Sequence, residues 1–145
     1  MIRDLVQLDR QNWEKLYIGY AEFYKVPMNN EILNTVWSWL FDKKHVVNGL
    51  CYETEGKIVG IAHYRTIPRP LRGKYIGFLD DLFVGPNFRG KKIGQKLIIA
   101  LKDIAKSNDW QVIRWITHSS NDTAKKLYDK LAINTGFDLY ELKRD

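Results

Sequence analysis

The segment from Phe78 to Leu97 constrains this chain more than any other. An apolar strand ends at Val84, Gly85-Pro86 turns the chain, and a loop rich in glycine and basic residues opens an amphipathic helix. A strand that feeds a helix in this way starts a crossover, which brings the next strand back in parallel. The loop aims consecutive backbone N–H groups and the positive end of a helix dipole at one point. Gly90 and Gly94 allow close backbone approach, while Arg89, Lys91 and Lys92 add charge. This arrangement suits a diphosphate, although a surface loop that merely caps its helix has the same local pattern. The Gly-Lys-Ser/Thr of nucleotide-triphosphate loops and the Gly-x-Gly-x-x-Gly of dinucleotide folds are both missing.

The rest of the chain supplies elements around that unit. Ile2 to Gln7 reads as a strand. Asp9 is placed to cap a helix carrying Trp13, Leu16, Tyr17, Tyr20 and Tyr24 at helical spacing, which Val26-Pro27 ends. Asn29 or Asn30 caps a second helix with Ile32, Leu33, Val36, Trp37, Leu40 and Phe41 on one face. Strands follow at 46–53, 57–67 and 75–84, the first two joined by the hairpin turn Glu55-Gly56. A helix over 94–108, a strand over 111–117, a helix over 123–131 and a closing strand over 137–142 complete the order β-α-α-β-β-β-α-β-α-β. The predicted fold class is α/β (α+β): a mostly antiparallel, partly parallel sheet with helices on both faces, in one domain spanning residues 1–145.

At 145 residues there is room for one sizeable core and not two. The single cysteine, Cys51, rules out an internal disulfide, and His45, His63 and His118 have no metal-ligand spacing, so no metal is expected. Asp4 interrupts the opening residues and no apolar run approaches bilayer length, which predicts a cytoplasmic protein without a membrane partner. The formal charge of +6 favours anionic ligands. No recognition helix or RNA-reading motif accompanies it, and the basic residues crowd the Arg89–Lys92 loop, so no nucleic-acid partner is expected.

The run Val84-x-Pro-x-x-Arg-Gly-Lys-x-Ile-Gly resembles the coenzyme A pyrophosphate loop of the GNAT superfamily of N-acetyltransferases, whose signature is Arg/Gln-x-x-Gly-x-Gly/Ala. Arg89 fits its first position and Gly94 its last. Lys92 stands where the family has its middle glycine, and must adopt a conformation that lets phosphate approach. A second block is also similar to the family: Trp115-Ile-Thr-His-Ser-Ser-Asn121, then Ala124-x-x-Leu127-Tyr128, then Thr135-Gly136-Phe137. The likeness covers nearly the whole chain, and looks closest to branches that acetylate polyamines, amino acids or basic protein tails.

The resemblance implies acetyl-CoA as cofactor and a small-molecule primary amine as acceptor, attacked directly in a ternary complex; it also allows a homodimer. Cofactor contacts fall on Leu82, Phe83, Val84, Arg89, Gly90, Lys91, Lys92, Ile93, Gly94, Gln95, Asn121, Ala124 and Tyr128. The N–H of Leu82 or Val84 would donate to the thioester carbonyl as charge develops there. Tyr128 is the candidate general acid, since a phenol with a pKa of ~10 can protonate a thiolate of similar basicity. It also shares a helical face with Ala124 and Leu131, as a core tyrosine would. Asn121 reads equally as a helix cap.

Asp80 and Asp81 interrupt an apolar strand, where carboxylates are costly unless used or paired. Strand alternation predicts that they face opposite sides. Asp80 matches the position of a glutamate base in the polyamine-acetylating branch; Asp81 is the alternate base or an anchor for the substrate ammonium. Tyr20, Tyr24 and Trp115 join Asp81 as candidate substrate contacts. The alternative functions are a non-catalytic acyl-CoA-binding or sensing domain on the same fold, and an acetyltransferase acting on protein lysines or N-termini.

Overall fold

A computed structural model describes residues 1–145, which divide into two compact units, Met1–Trp115 and Ile116–Asp145. The first unit holds β1 (Ile2–Asp4), α1 (Arg10–Tyr24), α2 (Asn30–Phe41), β2 (Val47–Thr54), β3 (Lys57–Arg69), β4 (Lys74–Val84), α3 (Ile93–Ser107) and β5 (Ile113–Arg114). The second holds α4 (Asp122–Leu131). The five strands form one sheet in the order β1-β2-β3-β4-β5. The first three pairings are antiparallel, and the crossover through α3 makes the β4–β5 pairing parallel. This is the expected mixed α/β fold.

Local chemistry explains most boundaries. Glu55 and Gly56 both take positive φ, the two-residue turn whose twist matches a hairpin, and it sets Thr54 opposite Lys57. Asn29 caps α2, its side chain accepting the Ile32 N–H at 2.8 Å. Asp9 does not cap α1 as expected. Its carboxylate accepts the Val6 N–H and a two-pronged hydrogen bond from Arg3 at 2.8 and 2.9 Å, so it closes the turn before the helix instead.

Helices cover both faces of the sheet. Trp13 and Leu16 of α1 and Leu33, Val36 and Trp37 of α2 pack against Cys51, Ile61 and Phe83. This is where the aromatic residues of the first third go: the Trp13 and Trp37 rings lie 4.8 Å apart, a contact worth about 0.5–1.5 kcal/mol beyond area burial. On the other face α3 lies so close to β3 that a Cβ on Gly60 would meet Ile93 at 3.1 Å and Leu97 at 3.3 Å. No helix is long and apolar enough to cross a membrane.

Two expected strands are corrected. The strand over 111–117 shrinks to Ile113–Arg114, which pairs only with Gly77 and Phe78. Pairing stops just before a bulge in β4, a feature that bends and twists its strand. The closing strand over 137–142 does not form: those residues have no regular structure, and Phe137, Leu139, Tyr140 and Leu142 are exposed. Their apolar pattern is local, whereas a strand needs a ladder partner, and none of the five strands pairs with them.

Candidate active site

The bulge in β4 builds the centre of the site. Asp81 pairs with His63 across the β3–β4 ladder, and the next pair is Leu79 with Tyr64, so Asp80 is an extra residue without a cross-strand partner. The expectation that the two aspartates face opposite sides is therefore overturned. Both carboxylates line one open cleft of about 350 Å³, together with Tyr17, Val36, Trp39, Val47, His63 and Arg65.

Their surroundings differ. Asp80 accepts the Arg65 Nε–H at 2.9 and 3.1 Å. Burial raises its pKa above the usual carboxylate value, with Arg65 opposing. Asp81 receives hydrogen bonds on one oxygen, Oδ2: the Tyr17 hydroxyl donates at 3.0 Å, and His63 Nδ1 lies at 2.8 Å. His63 is 1% exposed, and its other nitrogen accepts the indole N–H of Trp13 at 2.9 Å. The Tyr17 and Tyr20 phenols are pushed well above their ordinary range, first by burial and then by the charge on Asp81. Neither is suited to ionise at neutral pH.

The Gly85 N–H donates to the Val59 carbonyl at 2.8 Å, so alternation turns the amides of Val84 and Leu82 away from β3. No strand pairs with that edge of β4 beyond Phe78. Phe83, by contrast, pairs with Ile61 and buries its ring against α1, edge-on to Tyr20.

The loop after β4 turns through two left-handed residues. Gly90 has φ 80°, and Lys92 has φ 62° and ψ 22°, the left-handed conformation a glycine would adopt there. The first hydrogen bond of α3 runs from the Lys96 N–H to the Lys92 carbonyl at 3.0 Å. The N–H groups of Ile93, Gly94 and Gln95 come before it, at the positive end of the helix. Lys91 and Lys92 are exposed. Arg89 is drawn back: its Nε–H donates to the Val84 carbonyl at 3.2 Å, and its guanidinium lies over the Phe83 and Phe23 rings.

Other candidates sit elsewhere. Tyr20 donates to the Asp80 carbonyl at 3.4 Å, and its ring lies 4.8 Å from that of the partly exposed Tyr24, tilted by 52°. Half-buried Trp115 follows β5 and is not part of the cleft lining. In the second unit Asn121 caps α4, accepting the Ala124 N–H at 3.4 Å, and Ala124 and Tyr128 are half-buried along that helix. Burial pushes the Cys51 thiol up to about 11, consistent with a packed, inert residue.

The sequence reading missed His63, Trp13 and Arg65 as site residues. Alternation along β3 puts Ile61, His63 and Arg65 on one face, which was a usable signal. The Trp13 partnership spans 50 positions and was not readable.

A mixed sheet with an unpaired edge on β4, a left-handed loop before α3 and carboxylates in a cleft belongs to an acyltransferase. The chain belongs to the Acetyltransferase (GNAT) family, whose model matches residues 5–132. It is 29% identical over 143 residues to the D-amino-acid N-acetyltransferase HPA3 of Saccharomyces cerevisiae, covering 97% of this chain and 89% of that one. It is 32% identical over 88 residues to a glucosamine 6-phosphate N-acetyltransferase of Trypanosoma brucei brucei, covering 59% and 57% of the two chains. Among solved structures, AAC(6')-Iy in complex with the bisubstrate analogue CoA-S-monomethyl-acetylneamine aligns with a TM-score of 0.87 at 17% identity, covering 100% and 98%. The protein is an acetyl-CoA-dependent N-acetyltransferase, and Lys92 holds the left-handed backbone that a glycine would adopt at its position.

Proposed function

We propose that the chain acetylates the primary amine of a small acceptor that also carries a carboxylate, an α-amino acid or a close analogue. The observation behind this reading is that Asp81 and Arg65 line the same cleft. The Tyr17 and His63 hydrogen bonds to Asp81 both fall on Oδ2, so Oδ1 is the oxygen turned to a substrate ammonium. Arg65 engages Asp80 through Nε alone, leaving its two Nη groups for a substrate carboxylate. Val36, Trp39 and Val47 offer apolar wall for a side chain. A polyamine would be better served by two free carboxylates, and Arg65 already neutralises Asp80. The similarity to a D-amino-acid N-acetyltransferase supports the same class.

Acetyl-CoA supplies the thioester-activated acetyl group when bound. The amides of Ile93, Gly94 and Gln95, with Lys91 and Lys92, would hold its diphosphate, and the free edge of β4 would pair with its amide-bearing arm. Asp81 takes the proton that the substrate ammonium must lose before it can attack. Leu82 and Val84 provide the donors of that edge. Tyr128 is the acid and Asn121 and Ala124 the further cofactor contacts, roles supported by the match of the α4 sequence to the family. That match runs across both units, which supports one N-acetyltransferase domain over residues 1–145. The proposal includes a cytoplasmic location, tested by cell fractionation, and a homodimer, tested by sedimentation.

The test is acetyl-CoA-dependent thiol release across D- and L-amino acids, their amides, polyamines and aminoglycosides. Amino acids should turn over with the highest kcat/KM. Faster turnover of polyamines, or of amino-acid amides over the parent acids, would refute the proposed acceptor class.

A further inference from the structure

We infer that Trp13 and His63 are positioning residues that lock Asp81 in the orientation it needs to receive the acceptor amine. The inference rests on the reading of Asp81 as the amine-receiving carboxylate.

The indole of Trp13 dictates the protonation of its partner. Its N–H is a donor and never an acceptor, so the nitrogen it contacts must present a lone pair. Trp13 Nε1 lies 2.9 Å from His63 Nε2, which makes Nε2 the acceptor. The ring proton of a neutral imidazole then sits on Nδ1, 2.8 Å from Asp81 Oδ2. The tautomer of His63 is set from α1, across the sheet face, by a residue that never reaches the cleft.

Burial makes this setting firm. Trp13 is fully buried and His63 is 1% exposed. Moving the proton to Nε2, or adding a second one, would press two N–H groups together between two buried side chains. His63 is therefore not the base of the reaction. It is a neutral donor that can point only one way, and the pair with Asp81 is a hydrogen bond from a neutral ring to a carboxylate.

The consequence falls on Asp81. Tyr17, one turn after Trp13 on α1, donates to the same Oδ2 at 3.0 Å. Two donors on one oxygen hold the carboxylate plane and assign Oδ1 to the acceptor. Asp81 sits beside the bulge, which re-aims the side chains next to it. The relay fixes the carboxylate plane once the strand has aimed it.

The tautomer can be read directly by long-range 1H–15N NMR on full-length protein labelled at histidine. His63 should show a protonated Nδ1 and an unprotonated Nε2, and Trp13→Phe should lose that fixed pattern. In kinetics, His63→Leu should lower kcat/KM for the acceptor by about a hundredfold, the scale of a 1 Å misplacement. His63→Asn, whose amide nitrogen falls near the position of Nδ1, should recover most of that loss. KM for acetyl-CoA should not move in either. A protonated Nε2 in the parent protein overturns the relay, as does a folded His63→Asn no better than His63→Leu. If Trp13→Phe or His63→Leu does not fold, the parent spectrum and His63→Asn still decide. Asp81→Asn separates the two claims: parental turnover there removes Asp81 from the reaction and the relay with it. An inactive Asp81→Asn with a protonated Nε2 overturns the relay alone.

Discussion

Arg65 reaches Asp80 through Nε, 2.9 Å from one carboxylate oxygen and 3.1 Å from the other, while its guanidinium carbon lies 4.9 Å from the centre of the Phe78 ring. The side chain is gripped at its base and braced on one face, so its Nη groups are held out without being consumed. An arginine fixed in this way is suited to read a planar anion.

Arg65→Ala should raise KM for amino-acid acceptors and leave KM for acetyl-CoA unchanged. A charged hydrogen bond contributes about 1.5–3 kcal/mol, so the loss in kcat/KM should be roughly ten- to hundredfold. Amino-acid amides, which lack the carboxylate, should lose much less. Steady-state kinetics on matched acid and amide pairs measures the difference.

The two aspartates should separate sharply. Asp81→Asn removes the proton acceptor and should reduce kcat by about 10²–10⁴-fold. Asp80→Asn loosens Arg65 and should act mainly through acceptor KM. Equal effects on kcat in the two variants would contradict the division of roles.

Lys92 should tolerate glycine and reject a β-branched residue. A non-glycine residue in the left-handed region costs roughly 1–2 kcal/mol, which the greater freedom of an unfolded glycine partly offsets. Lys92→Gly should therefore unfold at the same temperature or slightly higher, and bind coenzyme A more weakly because a charge is gone. Lys92→Val should lose both stability and binding. Thermal unfolding and calorimetric titration with coenzyme A measure the two effects.

Asp9 and Asp80 should pull stability in opposite directions with pH. Arg3 lowers the Asp9 carboxyl below its ordinary value of 3.8, so its contribution is complete above that value and fades as pH falls through the folded pKa. Burial raises Asp80 above 3.8, so its ionised form carries a penalty that grows as pH rises from there to the folded pKa and then levels off. The stability deficit of Asp9→Asn should shrink on acidification. The stability of Asp80→Asn relative to the parent should improve as pH rises across the same region. Melting temperatures over an acid-to-neutral series test both signs.

Much of this was legible in the sequence because it is local. The Asn29 cap, the Glu55-Gly56 turn and the amphipathic α3 each depend on residues a few positions apart. The demand on Lys92 was also legible, since a loop that must admit phosphate fixes its own backbone. The errors arose where one element depends on a distant one. Phe137 to Leu142 has the pattern of a strand and no ladder to join. Asp80 and Asp81 were assigned to opposite faces because alternation presumes an unbroken register, and only the pairing with β3 reveals the extra residue. The role of His63 required Trp13, 50 positions earlier in the chain.

That extra residue acts as a frameshift inside β4. Everything downstream of Asp80 is displaced by one step, which brings two neighbouring carboxylates to a common side. Deleting Asp80 would not simply subtract a charge. It would set the Leu79–Tyr64 and Asp81–His63 pairs side by side, keep the Leu82 and Val84 amides outward, remove the bend of the bulge, and release Arg65 from its carboxylate partner. The bulge thus lets β4 carry a second carboxylate into the cleft without disturbing the ladder on either side of it, so the register would survive a deletion that the Arg65 anchor would not.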